Sequence, residues 1–156
     1  MRPSLFEFAG GEPAFLALAY AHHARCLADS ELNHPFSHPG QHPQHVERLA
    51  AYWAEVLGGP PAYSQLCGDQ SRLQHMHAGN GGGMHDLGRR FVACFDAAMD
   101  DAGLPGDPEF RAAMHRYMEW AVADVLVYAP SGSEVPAVLP MPHWTWDGLS
   151  TSRQGG

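Results

Sequence analysis

Apolar positions recur at helical spacing in four stretches of this chain, and glycine or proline closes most of them. The first runs from Glu12-Pro13 through Phe15, Leu18, Ala19, Cys26 and Leu27, with proline suited to the opening turn. At about 100° per residue, His22 and His23 both fall inside its apolar arc, His22 nearer the centre. The second runs from Pro43 to Leu57 through Val46, Leu49, Ala50, Trp53, Val56 and Leu57. His45 and Tyr52 flank its stripe, Arg48 sits at the margin, and Gly58-Gly59 stops it. The third spans Met84 to Ala102 through Leu87, Phe91, Phe95, Ala98 and Met99, and is broken by Gly103-Leu104-Pro105-Gly106. Asp107-Pro108-Glu109 opens the fourth, which carries Phe110, Met114, Tyr117, Met118, Ala121, Val122, Val125 and Leu126. A shorter segment from Ser4 to Gly10 has room for one or two helical turns. No stretch alternates with strand period over a useful length, so the pattern predicts an all-α fold.

Between these helices lie two irregular regions. Ser30 to Pro43 holds three prolines and a glycine, which forbid a long helix. From Ala129 the chain is rich in Pro, Ser and Gly and reads as a tail over 129–156, in which His143-Trp144-Thr145-Trp146 is the one segment fit to dock on the body.

At 156 residues the chain suits one domain. It holds no run of about 18 apolar residues, so no membrane span is expected. The N-terminus lacks a basic-then-apolar leader, which points to the cytoplasm. A net charge of −8 without any lysine repels phosphate backbones and argues against nucleic-acid binding. Cys26, Cys67 and Cys94 are widely spaced and read as free thiols.

Eleven histidines are unusual at this length. His34, His38, His42 and His45 cluster in twelve residues, a composition with zinc or nickel affinity. Pro35, Pro39 and Pro43 break the helix that would align them, so adventitious affinity is the plainer reading. A di-iron bundle would need two Glu-x-x-His pairs, and only Glu31 to His34 fits.

The most informative stretch is Gly58-Gly59-Pro60-Pro61, then Tyr63-Ser64, then Arg72-Leu73, then His75-Met76-His77-Ala78, closed by the glycine run from Gly79. This order resembles the proximal half of truncated haemoglobins, group II in particular. The resemblance extends over roughly residues 4 to 128, with the short first helix, the double-glycine break, the Pro35-Phe36 corner and the two closing helices in matching order. It implies a 2-on-2 helical sandwich over 1–128 with an irregular tail over 129–156.

The resemblance also implies haem b. No CxxCH attachment exists, so coordination and packing would hold it. His77 takes the proximal iron position, with His75 the rival two residues earlier. Phe36 stacks on the porphyrin, Tyr63 joins the cofactor-binding set, and Leu49, Phe91, Val46 and Trp53 form the apolar wall. Arg48 is placed to meet a propionate. His45 stands at the distal position, as donor to a bound ligand or as a second iron ligand. Two departures remove the group's usual donors: His23 replaces a tyrosine, and Phe91 replaces a tryptophan. Met76 stands where a basic residue often precedes the proximal histidine. The function implied is binding of dioxygen, carbon monoxide or nitric oxide. A redox enzyme acting on peroxide or nitric oxide at the same site is the alternative, and a haem-free interaction module is a third. The resemblance leaves room for a reductase partner and for a homodimer.

Overall fold

The computed structural model describes residues 2–30, 44–66, 84–126 and 142–150. Within them the chain forms α1 (Leu5–Ala9), α2 (Glu12–Ala28), α3 (His45–Val56), α4 (Ala62–Leu66), α5 (Met84–Asp101) and α6 (Pro108–Leu126), then β1 (Trp144–Thr145) and β2 (Gly148–Leu149). The four long helices are those the apolar spacing predicts, with ends shifted by one or two residues. This is the helical architecture expected of a truncated globin.

Local chemistry sets the helix boundaries. Ser4 caps α1: its hydroxyl accepts from the Glu7 amide at 3.1 Å, and the Glu7 carboxylate accepts from the Ser4 amide at 3.1 Å. Asp107 caps α6 by accepting from the Phe110 amide at 2.9 Å. Arg111 then secures the turn before α6, donating to the Pro105 and Leu104 carbonyls and to Asp100.

The Gly58-Gly59 pair is required by close approach. Gly58 sits at φ +108°, and a side chain there would place Cβ 2.6 Å from the Ser4 Cβ. A Cβ on Gly59 would lie 2.8 Å from both the Ala54 carbonyl oxygen and the Phe6 ring. The end of α3 can thus press against α1, and the Phe6 amide donates to the Leu57 carbonyl at 2.9 Å.

Helix α2 lies at the centre, packed on α3 and on α5, and α5 packs in turn on α6. Its buried face is Phe15, Leu18, Ala19, His22 and Cys26. From Tyr52 on α3 through Leu57, the residue that caps it, every residue is buried. Tyr52, expected at the flank of the stripe, is enclosed because α4 folds back beside it and stacks Tyr63 edge-on at 5.0 Å.

The tail holds one feature that composition did not indicate. Trp144 pairs with Leu149 and Thr145 with Gly148 in a two-stranded antiparallel hairpin. Strands of two residues are too short to leave an alternating pattern. The expectation that this segment docks is met: Trp144 is buried, and both tryptophans pack on the helical body.

Candidate functional site

Two of the predicted wall residues, Trp53 and Phe91, come together where α2 packs on α3 and α5. His22 is the hub. Its ring meets Phe91 edge-on at 4.3 Å, Trp53 at 5.5 Å and Phe95 at 6.0 Å, and it has no exposed surface. Its Nε2–H donates to the Phe91 carbonyl oxygen at 3.2 Å, and the Cys26 sulfur lies 3.6 Å from the same nitrogen. Burial in this aromatic nest pushes the imidazole from its ordinary 6.5 down to about 4, against the raising effect of the Phe91 hydrogen bond. His22 is a neutral core histidine, as its place at the centre of the apolar arc suggested. His23 is only half-buried.

On α3, Val46 and Trp53 are buried, while Leu49 and Arg48 are half-buried. Phe91 on α5 is half-buried too. The structure therefore brings Trp53 and Phe91 together through His22. Two ion pairs clamp the C-terminal end of α2 to α5. Arg90 donates to both Asp29 oxygens at 3.1 Å, and Arg25 donates to Asp101, holding that carboxyl below its usual range. Between them, desolvation raises the Cys26 and Cys94 thiols above their ordinary value, so neither favours the thiolate.

Tyr63 is buried on α4, beside Tyr52. A residue the sequence reading did not single out holds α4 in place. Glu55, only 4% exposed, accepts from the Ser64 amide at 2.8 Å, near the positive end of that helix. Its signal was available, because a carboxylate between Trp53 and Val56 falls inside the stripe and needs a partner.

Phe36, His75 and His77 lie outside the described residues, as does the side chain of His45 and the His34–His42 cluster. Among the described residues no three His, Cys, Asp or Glu side chains are placed to hold a metal ion. Two open clefts of about 420 and 580 Å³ run along α5 and α6, with Asp96 and His115 lining both. They share no residue with the predicted set.

The described members of the predicted wall are apolar, the residue type a flat apolar macrocycle would meet. Val46 and Trp53 are enclosed in the core and Leu49 and Phe91 pack against it, with Arg48 half-buried on the same helix as Val46. Where α2, α3 and α5 meet, the described residues form a packed helical core. The chain belongs to the bacterial-like globin family, whose family model matches residues 4–128. It is similar to the haemoglobin of Chloroflexus aurantiacus, at 27% identity and a TM-score of 0.64, over 80% of this chain and 98% of that one. It is also similar to the thermostable haemoglobin of Thermobifida fusca, at 25% identity and a TM-score of 0.63, over 86% and 99%. The group II truncated haemoglobin of Bacillus anthracis shares the fold, at 19% identity and a TM-score of 0.67, over 85% and 97%. No curated protein matches the chain. Among the described residues no helix is long and apolar enough to cross a membrane.

Proposed function

We propose that this protein binds haem b and, on its iron, a diatomic gas such as dioxygen. Membership of the globin family carries the reading, and similarity to two haemoglobins at 25% identity or more supports it. When bound, the haem would supply the iron that takes up a diatomic ligand. The chain supplies the rest. His77 would hold the iron through a neutral ring nitrogen, the Arg48 guanidinium would meet a propionate, and Phe36 and Tyr63 would join the walls of the pocket. Val46, Leu49, Trp53 and Phe91 exclude water from the ligand side. His23 and His45 are the groups able to offer an N–H to the ligand.

The test is the visible spectrum of the ferric and dithionite-reduced protein, compared with His77→Ala. A Soret band that collapses or changes coordination state in the variant is the expected result. A protein that stays colourless and takes up no added haemin would refute the reading. A parent whose spectrum is untouched by His77→Ala would move the ligand elsewhere, to His75 first.

A further inference from the structure

Helix α3 begins without the device that starts α1. Its N-cap residue, Gln44, makes no side-chain cap hydrogen bond. Glu47 stands three residues on, the position from which Glu7 in α1 reaches back to its cap residue. The Glu47 carboxylate turns to α2 instead and accepts a hydrogen bond from the Tyr20 hydroxyl.

Both partners lie at the surface, Tyr20 with 49% of its area exposed, so burial does not account for the place of this large ring. The contact of its hydroxyl does. The two ends of the bond are held unequally. Tyr20 belongs to the central helix, whose other face puts Phe15, Leu18, Ala19 and His22 into the core. Glu47 belongs to the opening turn of α3, where Val46 is the one buried side chain before Ala50. Helix α2 is thus the fixed side, and the start of α3 is the side being held. That turn begins at His45, two residues before Glu47, and His23 lies on α2 one turn beyond Tyr20. The bond therefore ties the part of α2 beside His23 to the turn that starts with His45.

We propose that Tyr20 and Glu47 are positioning residues for the ligand site: their hydrogen bond holds the opening turn of α3 against α2 and so sets where His45 stands. The clause about His45 and the ligand rests on the function proposed above; the latch between α2 and α3 does not. Helix ends open first, because their outermost amides have no partner within the helix. Without the latch, the first turn of α3 frays more often and His45 leaves with it.

The experiment compares the full-length protein with Tyr20→Phe, Glu47→Ala, the two combined, and Glu47→Gln, and repeats Tyr20→Phe in a His45→Ala background. It reads dioxygen dissociation from the ferrous protein and hydrogen exchange at the amides of residues 48–50, the first of which donates to the Gln44 carbonyl at 2.9 Å. Tyr20→Phe and Glu47→Ala should each speed dissociation and exchange by about three- to tenfold, the scale of one surface hydrogen bond to a charged group. The combined variant should go no further than either alone, because both remove the same bond. Glu47→Gln keeps an acceptor oxygen and should stay within about twofold of the parent. In the His45→Ala background, Tyr20→Phe should leave dissociation unchanged. Exchange at 48–50 that is unaltered in Tyr20→Phe and Glu47→Ala would overturn the latch, as would additive effects in the combined variant. Faster exchange with unaltered dissociation, or an effect on dissociation that persists without His45, would overturn the positioning of His45. A colourless parent would sink the haem reading instead, with exchange at 48–50 still judging the latch.

Discussion

His22 should make this protein sensitive to mild acid. Its folded value of about 4 lies below the ordinary 6.5, so between those values the unfolded chain binds a proton that the folded chain refuses. Stability therefore falls as pH drops through that window, and the loss is complete below about pH 4. At 1.36 kcal/mol per pKa unit, a depression of this size amounts to about 3 kcal/mol, a large fraction of the ~5–15 kcal/mol that holds a domain together. Since the ring has no exposed surface, solvent screening takes little from this figure. His22→Phe puts an apolar ring of similar size into the nest of Trp53, Phe91 and Phe95 and removes the titration. At pH 7 the exchange of rings should cost under about 1.5 kcal/mol. Urea unfolding followed by helical circular dichroism, at pH 7, 5.5 and 4.5, checks the idea. The gap between parent and variant should close as pH falls and then reverse, because the carboxylates that also titrate there are common to both. A stability difference that stays constant across the three pH values would refute the reasoning.

Two further substitutions probe the frame around the site. Gly59→Ala drives a methyl group to 2.8 Å from the Ala54 carbonyl and the Phe6 ring, so α1 must move off the end of α3. A loss of about 1–3 kcal/mol is expected, and a thermal midpoint equal to the parent's would contradict the close approach. Glu55→Ala leaves the Ser64 amide without its carboxylate partner and should also cost about 1–3 kcal/mol. Its signature is faster hydrogen exchange centred on α4; uniform loosening of the whole chain would speak against a specific anchor.

The helices were legible because each carries its own evidence. The stripes of α2, α3, α5 and α6 are long enough to establish a period, and Ser4, Asp107 and the Gly58-Gly59 pair mark boundaries by chemistry that acts within a few residues. What was not legible depends on contacts between segments far apart in the chain. Nothing near Tyr52 in sequence says that α4 will fold back and bury it. The Glu55 partner lies nine residues on, across a turn whose path only the packing of α1 against Gly58 and Gly59 decides. The hairpin is beyond pattern altogether: its strands hold two residues each, and what fixes it is a pair of indoles meeting α1 and α6. On α2, the apolar arc admitted both His22 and His23. Angle alone favoured His22 for the core, and the aromatic nest supplied by α3 and α5 makes it so.

That division of labour between adjacent histidines bears on the proposed ligand chemistry. Phe91 offers a carbon ring where the group II pattern has a tryptophan, and the nearest buried imidazole, His22, spends its Nε2–H on the Phe91 carbonyl. His22 is thus a peg between helices, neutral down to about pH 4, and has no donor to give to a bound gas. The imidazoles that the resemblance puts on the ligand side are His23 and His45. A phenol or an indole would be a fixed donor throughout the physiological range, whereas an imidazole is ordinarily the side chain that changes charge near neutrality. On that reading, ligand retention in this globin should survive His22→Phe and fall in His23→Ala and His45→Ala, which ligand dissociation rates of the three variants at one pH would check.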